Sequence, residues 1–221
     1  MLNQEKHRLL MFNILKDIFN SDIWNFLAFK WWTACYFLYW LDRFSTDLDF
    51  DLLDKNLHNI DEKTIKILQK YWQIKKWNKL ILSYWNSETN IKIDINRNIW
   101  QSNKYETVNF YWTDIKVQTK STIFANKLVA LSERFANRDI YDVYFFFKNW
   151  FNINEDVVLE RTWKWLKDLL IQLVEQTKRL PKNYKILDGL WELLSEKQKV
   201  FVKIKLINEL IWIIQMKIDF E

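Results

Sequence analysis

The sequence predicts an α+β fold in which a small mixed sheet flanked by helices is followed by a C-terminal helical region. Residues 46–52 alternate between apolar side chains and aspartates, which is the period of a β-strand. From residue 122 onward, apolar residues recur at helical spacing instead. We therefore divide the chain into a core over residues 1–120 and a helical region over residues 121–221 that packs on this core.

The first predicted elements are a helix, a strand and a second helix. Helical periodicity covers residues 4–19, and a short apolar run over residues 25–30 suits a strand. Thr33 is a preferred N-cap residue followed by apolar residues, so we expect it to begin the second helix. The order is strand, turn, helix.

The alternating segment over residues 46–52 predicts a strand with two unlike faces. The apolar face consists of Leu48, Phe50 and Leu52. The acidic face consists of Asp47, Asp49 and Asp51. The three carboxylates are therefore expected on the same side of a sheet.

The remainder of the core is predicted as one helix and several strands. The helix is expected over residues 61–76. Two strands, over residues 79–84 and 90–96, are expected to pair around the turn Asn86-Ser87-Glu88, and residues 103–118 are expected to add more strand. Alternation in the second of these strands places Asp94 opposite its isoleucines, so Asp94 joins Asp47 and Asp49 if the strands are neighbours.

The second half of the chain is predicted to be helical, because its apolar residues recur at helical spacing. We expect a break at Pro181, since proline cannot continue a helix. The expected helices cover residues 123–135, 138–149, 155–177, 184–194 and 195–219.

The composition is ordinary for a globular protein of 27.5 kDa, with 49% hydrophobic and 28% charged residues. The lone Cys35 excludes an internal disulfide and is expected in the core. The first residues lack the apolar segment of a signal peptide, and no apolar run is long enough for a membrane span. We expect a cytoplasmic protein that does not cross a membrane. His7 and His58 have no ligand pattern around them, so no zinc site is expected.

A net charge of +5 and a pI near 9.0 suit a polyanionic partner such as RNA, although a mild lysine excess is also common on soluble surfaces. The acidic cluster at residues 47–51 stands out in this basic chain. Carboxylates in basic surroundings suit metal ions bound among phosphates.

Glycine and tryptophan have unusual counts. Average usage would give about 15 glycines in a chain of this length, whereas it has 1 Gly and 14 Trp. An AT-rich gene would thin out glycine but would not enrich tryptophan. We hypothesise that UGA codons, which some bacterial lineages with a reassigned stop codon read as glycine, have been translated here as tryptophan.

Two carboxylates at positions i and i+2 of a strand, with a third on a nearby strand, suit a two-metal phosphoryl or nucleotidyl transfer site. Mg²⁺ takes hard oxygen ligands, and paired ions activate the attacking oxygen and neutralise the leaving group. The alternative is a solvated edge strand whose charges face water. A preceding turn at a helix N-terminus favours the metal site, because such a terminus binds phosphate.

Two segments carry a family resemblance. They are Lys30-Trp31-Trp32-Thr33 and Arg43-Phe44-Ser45-Thr46-Asp47-Leu48-Asp49-Phe50. They resemble the Lys-Gly-Gly-Thr/Ser turn and the Arg-x-Ser-x-Asp-x-Asp-Phe segment of the AbiEii-type nucleotidyltransferase toxins of abortive-infection toxin–antitoxin pairs, which include the MenT-like enzymes. The tryptophan pair departs from that pattern where the family has its glycine pair, so the resemblance and the codon hypothesis support each other.

The resemblance implies a nucleotidyltransferase-like fold and a set of site residues. Asp47, Asp49 and Asp94 would be catalytic and would bind two Mg²⁺ ions. An NTP substrate would lie against the turn at Trp31, Trp32 and Thr33. From the loop before the acidic strand, Arg43 and Ser45 would contact phosphates; alternatively, they would only fix that loop.

The helical region would complete the active site. Phe124-Ala125-Asn126-Lys127 and Arg138-Asp139-Ile140-Tyr141-Asp142 resemble the family's Lys and Arg-Asp-x-Tyr-Asp helices. Lys127 would contact the triphosphate, and Asp139 or, preferably, Asp142 would orient Lys127 or assist deprotonation of the acceptor. The alternatives are a solvated helix lysine and a helix-capping or Arg138-paired set of aspartates.

The implied reaction moves a nucleoside monophosphate from an NTP to an acceptor hydroxyl and releases pyrophosphate. In the family the acceptor class is RNA, notably tRNA ends, and an AbiEi-like cognate antitoxin restrains the toxin in phage defence. The same chemistry on a small molecule or a protein stays open, as does a catalytically inactive binding relative if Trp31 and Trp32 are the native residues. The oligomeric state is not predicted.

Overall fold

A computed structural model describes residues 3–54, 57, 59–71, 73–76, 80–84 and 89–220. The chain divides into two units, one formed by residues 1–99 and 104–118 and the other by residues 100–103 and 119–221. Residues 100–103, 119 and 120, which we expected in the core, thus belong to the second unit.

Within the described residues, the first unit contains three helices and the strands of the sheet. The helices are α1 (Gln4–Phe19), α2 (Trp31–Leu38) and α3 (Ile60–Leu68), with a 3₁₀ turn at Trp24–Phe26. The strands are β1 (Leu27–Lys30), β2 (Leu48–Leu52), β3 (Gln73–Lys76), β4 (Leu80–Tyr84), β5 (Thr89–Asn96), β6 (Tyr105–Phe110) and β7 (Thr113–Gln118).

Over the described residues the strands form one seven-stranded sheet in the order β3-β4-β5-β2-β1-β7-β6. β2 runs parallel to β5 and antiparallel to β1, and β1 is parallel to β7. The sheet is therefore mixed, and the α+β prediction is confirmed. Because β2 has a neighbour on each side, the alternative of a solvated edge strand is wrong.

The apolar face of β2 forms part of the core of the first unit. Phe50 is buried, with its ring centroid 5.6 Å from that of Phe29 on β1 and 6.2 Å from that of Phe19 on α1. The side chain of Asn3 caps α1 by accepting a hydrogen bond from the Lys6 backbone N–H. Burial of one face of β2 leaves its aspartates on the other face.

The predicted helix over residues 61–76 is wrong in its second half. α3 ends at Leu68, and Gln73–Lys76 form β3, which pairs antiparallel with β4 so that Ile74 lies opposite Leu82. Strand pairing here outweighs the helical periodicity of the sequence. The predicted turn at Asn86-Ser87-Glu88 and the start of its first strand at Lys79 lie outside the described residues, as does His58.

The second unit is helical. Its helices are α4 (Lys120–Arg134), α5 (Asn137–Lys148), α6 (Glu155–Thr162), α7 (Leu166–Lys178), α8 (Glu196–Ile204) and α9 (Leu206–Asp219), with a 3₁₀ turn at Trp191–Leu193. α4 packs on α5, and α9 packs on α5 and α7. Phe124 and Phe146 pack ring to ring in this core, with their centroids 5.0 Å apart.

Three predicted helices of the second unit are interrupted. The helix over residues 155–177 breaks at Trp163, whose φ of 57° ends α6. The helix over residues 195–219 breaks at Lys205, which lies between α8 and α9. Turns occupy most of residues 184–194, where the Asn137 side chain donates to the carbonyls of Lys185 and Asp188 at 2.8 and 3.0 Å. Periodicity continues across each break, so it could not reveal them.

None of the helices in the described ranges is both long and apolar enough to cross a bilayer.

Candidate active site

The acidic face of β2 is flanked by charged residues from both neighbouring strands. Asp49 lies opposite Lys30 of β1 and, on the other side, opposite Asp94 of β5. The side chains of paired residues project to the same side of a sheet. The structure thus sets two of the predicted metal ligands, Asp49 and Asp94, side by side, next to a lysine.

The pKa of Asp49 is raised to about 6, chiefly by burial and next by the carboxylate of Asp47. Lys30 opposes this rise, and Asp94 adds to it. A cation bound among these carboxylates would relieve their mutual repulsion.

Asp47 lies immediately before β2 and is tied to α2 through its backbone. The Thr33 hydroxyl donates a hydrogen bond to the Asp47 carbonyl, and the Ser45 hydroxyl lies 2.8 Å from that of Thr33. Because the single proton of Thr33 goes to the carbonyl, Ser45 is the donor in the hydroxyl pair. These contacts fix the segment that leads into the acidic strand.

The predicted N-cap role of Thr33 is wrong. α2 begins two residues earlier, at Trp31, with Lys30 at the cap position and no side-chain cap. The N-cap preference of threonine depends on a local bond to the first-turn N–H groups. Here the Thr33 hydroxyl instead bonds to the distant Asp47 carbonyl, which sequence proximity could not indicate.

Trp31, Trp32 and Arg43 surround the junction between β1 and α2. Trp31 has a left-handed backbone, with φ 59°, and the Lys30 ammonium lies 5.3 Å from the centre of its ring. Arg43 is buried, with its guanidinium 4.8 Å from the centre of the Trp32 ring and its Nη1 donating to the Phe44 carbonyl at 3.1 Å. Both Arg43 contacts hold the loop before β2.

His7 also holds this loop, a role that the sequence does not predict. Its Nε2 lies 3.0 Å from the carbonyl of Thr46, so this nitrogen carries the proton and donates. Burial lowers the pKa of His7, and its hydrogen bond to Thr46 opposes this change. The neutral ring thus positions the residue that precedes Asp47.

Asp51 is the centre of a buried network that we did not predict. It is fully buried and accepts four hydrogen bonds from other parts of the first unit. The donors are Lys30 Nζ at 2.8 Å, Asn96 Nδ2 at 3.1 Å, Tyr105 Oη at 2.9 Å and Gln118 Nε2 at 2.7 Å. Asp51 therefore connects β1, β5, β6 and β7. Alternation placed it on the acidic face, but nothing in the sequence pairs it with donors so distant along the chain.

In the second unit, Lys127 lies among carboxylates. It is 2% exposed, and its Nζ forms an ion pair with Asp139 Oδ1 and lies 3.7 Å from Asp142 Oδ2. The alternative of a solvated helix lysine is therefore wrong. Arg134 also binds Asp139, with Nε–Oδ2 at 2.6 Å and Nη2–Oδ1 at 3.0 Å.

The arginine paired with Asp139 is thus Arg134 and not Arg138. Burial alone would raise the pKa of Asp139, but Lys127 and Arg134 outweigh burial and hold this pKa below its usual value. Asp139 is ionised at neutral pH and helps to neutralise the buried lysine.

The donor set fits a magnesium ion that shares its coordination with substrate. Within the described residues, no three His, Cys, Asp or Glu side chains are gathered closely enough to hold a metal by themselves. Mg²⁺ characteristically binds through one or two carboxylates plus substrate phosphates and waters. The adjacent Asp49 and Asp94, with Asp47 beside them, meet that requirement.

Comparison with known proteins identifies the family. The family model described as "Nucleotidyl transferase AbiEii toxin, Type IV TA system" matches residues 33–204. No curated protein matches the chain significantly.

Solved structures share the fold at low sequence identity. JHP933 from Helicobacter pylori has a TM-score of 0.63 at 20% identity, over 100% of this chain and 94% of its own. MenT4, a nucleotidyltransferase toxin from Mycobacterium tuberculosis, has a TM-score of 0.57 at 15% identity, over 93% of this chain and 82% of its own. An antigenic nucleotidyltransferase-like protein from Paracoccidioides brasiliensis gives 0.51 at 13% identity, over 90% and 95%.

The nucleotidyltransferase-like fold is therefore confirmed, and the match of the family model to most of the chain decides the family. This chain belongs to the AbiEii nucleotidyltransferase toxins of type IV toxin–antitoxin systems.

Proposed function

We propose that this nucleotidyltransferase moves a nucleoside monophosphate from an NTP to a hydroxyl of RNA, with tRNA as the acceptor, and releases pyrophosphate. The observation that carries the proposal is the pairing of Asp49 with Asp94 on adjacent parallel strands, with Asp47 two residues before Asp49. In this proposal these three aspartates are the catalytic, metal-binding set.

Asp47, Asp49 and Asp94 would hold two Mg²⁺ ions, which supply charge neutralisation and activation of the attacking hydroxyl when bound. The side chains would hold the ions at a fixed spacing, because carboxylates on rigid neighbouring strands keep their positions. Lys30 stays paired with Asp51 at 2.8 Å. Its positive charge therefore lies near the aspartates without neutralising Asp49 directly.

The N-terminus of α2 is the proposed binding site for the triphosphate. The first N–H groups of a helix have no partner within the helix, and the helix dipole favours an anion there. Trp31, Trp32 and Thr33 form that first turn, and Ser45 and Arg43 hold the loop facing it. Two tryptophan side chains obstruct close approach of a phosphate to the backbone, whereas glycine would permit it.

In the second unit, we propose that Lys127 binds the triphosphate and that Asp142 positions it. Asp139 already forms the closer ion pair and is shared with Arg134. Asp142, 3.7 Å from the Lys127 ammonium, is the weaker partner and can hold Lys127 without competing strongly for its charge. A raised KM for NTP in Lys127→Met, measured where the variant is still folded, would support binding, whereas an unchanged KM would indicate a purely structural role.

The positive net charge supports RNA as the acceptor. The cytoplasm is the proposed place of action, because RNA and NTPs are found there. Membership of a type IV toxin–antitoxin family implies an antitoxin partner, and we propose an AbiEi-like protein encoded by the neighbouring gene that acts with it in phage defence.

The test is transfer of label from an α-labelled NTP to total tRNA with Mg²⁺, using a chain that carries Trp31→Gly and Trp32→Gly. We expect labelled tRNA, and loss of labelling when Asp49→Asn or Asp94→Asn is added. Asp114→Asn is the matched control, since Asp114 is an exposed strand aspartate that accepts a hydrogen bond from nearby Asn109. Full labelling by the Asp49→Asn protein would contradict its role as a metal ligand.

The tryptophan pair also favours a second candidate, a catalytically inactive relative that keeps the fold and binds its partner. This candidate predicts that neither the protein with Trp31 and Trp32 nor the one with glycine at both positions labels tRNA. If the protein with glycine at both positions labels a small molecule or a protein instead, the acceptor is not tRNA but the nucleotidyl transfer itself is supported.

A further inference from the structure

We propose that Trp31, Trp40, Trp112, Trp150 and Trp163 occupy positions that are glycine in the protein made by its native host. All five have left-handed backbones, with φ of 59°, 54°, 62°, 56° and 57°. The single glycine of the chain, Gly189, has a φ of 75°. The tryptophans at these five positions therefore share a backbone region with glycine.

Left-handed backbone is unusual for tryptophan on steric grounds. In L-residues it brings Cβ against the following carbonyl, and only glycine, with Asn and Asp as occasional exceptions, adopts it routinely. Five of the seven non-glycine residues with positive φ in the described ranges are tryptophans, although tryptophan makes up 14 of 221 residues. The other two are Tyr111 and Phe135.

Trp150 lies at the glycine position of a Schellman motif. It follows the C-cap residue Asn149 of α5, and its N–H bonds to the Phe147 carbonyl at 3.0 Å. The next N–H, of Phe151, reaches back to the Phe146 carbonyl at 3.1 Å. These two hydrogen bonds define the Schellman motif. The residue after the C-cap, here Trp150, is usually glycine because its backbone must be left-handed.

Trp112 lies at the glycine position of a hairpin turn. Tyr111 and Trp112 are the two loop residues between Phe110 and Thr113, which pair across β6 and β7. Both loop residues have positive φ, which is the signature of a type I′ turn. The second residue of that turn is most often glycine.

Trp163 and Trp40 follow helix ends. Trp163 is left-handed at the end of α6, where its N–H bonds to the Leu159 carbonyl at 2.9 Å. Trp40 is the second residue beyond α2, and the N–H of Leu41 after it bonds to the Cys35 carbonyl at 3.1 Å. Glycine is the common residue where a chain leaves a helix in this way.

Packing does not account for four of the five tryptophans. The side chains at positions 40, 112, 150 and 163 are 84–91% exposed, so almost the whole ring lies in water. A buried ring removes apolar surface from water, and this gain could offset an unfavourable backbone conformation. An exposed ring offers no such gain. The backbone at these positions thus reflects the turn, and the turn selects glycine.

Matched single variants test the inference without reference to activity. Trp163 and Trp165 are both exposed, at 89% and 68%, and lie two residues apart, but φ is 57° at the first and −68° at the second. We expect Trp163→Gly to raise the thermal unfolding midpoint and Trp165→Gly to lower it or leave it unchanged. Trp163→Ala removes the ring but keeps Cβ, so its gain should be smaller than that of Trp163→Gly.

An equal gain from Trp165→Gly, or from Trp163→Ala, would show that loss of the exposed ring matters and would overturn the backbone argument. The identity itself is settled by the gene and by peptide masses from native cells. UGA codons and glycine-mass peptides at the five positions are expected. UGG codons or tryptophan-mass peptides there would overturn the proposal, whatever the labelling of tRNA shows.

Discussion

Lys30 and Asp51 form a buried ion pair on the polar face of the sheet, with Nζ 2.8 Å from Oδ1 and side chains 8% and 0% exposed. Lys30 lies opposite Asp49 in the sheet, whereas its ammonium bonds to the carboxylate two residues further along β2. Asp51 thus binds the lysine, and Asp49 remains available beside Asp94.

Replacing Asp51 should therefore destabilise the first unit. Asp51→Asn leaves the Lys30 ammonium buried without its carboxylate, and breaking such a pair typically costs about 3–5 kcal/mol. Urea unfolding of the variant measures this loss, with Asp114→Asn as the exposed control. A cost below about 1 kcal/mol, as for a surface pair, would contradict the importance of this contact.

The aspartates of the proposed metal site should behave in the opposite way. Because burial and the neighbouring carboxylates raise the pKa of Asp49 to about 6, its ionisation at neutral pH is less favourable in the fold than in the unfolded chain. Asp49→Asn should keep or raise the thermal midpoint in metal-free buffer. In the chain that carries Trp31→Gly and Trp32→Gly, Asp49→Asn should lower tRNA labelling more than about 100-fold, since even the partners of metal ligands contribute about 10–100-fold. A variant that is both less stable and fully active would refute this assignment.

His7 should make stability depend on pH. Burial lowers the folded pKa of His7 from 6.5, so protons bind preferentially to the unfolded chain. His7 therefore contributes to stability above the unfolded pKa of 6.5. This contribution is lost as the pH falls from there through the lower folded pKa. Between about pH 7.5 and 5.5 the unfolding midpoint should fall more for the parent than for His7→Gln, which does not titrate. Parallel curves would exclude His7 as the cause.

The Lys127 cluster should contribute to the stability of the second unit. Lys127→Met removes the buried cation that Asp139 and Asp142 share, while Asp139 keeps its pair with Arg134, and we expect a loss of about 3–5 kcal/mol. Arg179→Met removes an exposed pair with Glu175, 3.5 Å apart, and should cost less than about 1 kcal/mol. Similar losses in urea unfolding for the two variants would mean that Lys127 is not buried in solution.

Much of the acidic strand could be predicted from the sequence, because period-two alternation assigns Asp47, Asp49 and Asp51 to one face. Alternation in the second acidic strand places Asp94 on the matching face, and β5 brings it beside Asp49. Both are consequences of local geometry.

Other features depend on contacts distant in sequence. Gln73–Lys76 form a strand because they pair with β4. The Thr33 hydroxyl bonds to a carbonyl 14 residues away and does not cap its helix. Asp51 draws donors as far away as Gln118, 67 residues along the chain. Neither periodicity nor residue preference records such pairings, so these parts of the site could be found only in the folded chain.

The left-handed backbone at Trp31 also bears on where this gene can be expressed. If the codon there is UGA, a cell with the standard code ends the protein at Lys30, before α2 and the acidic strand exist. A toxin gene transferred to such a neighbour would yield a harmless fragment. The altered code would thus restrict production of the full-length toxin to lineages that read UGA as an amino acid, independently of any antitoxin.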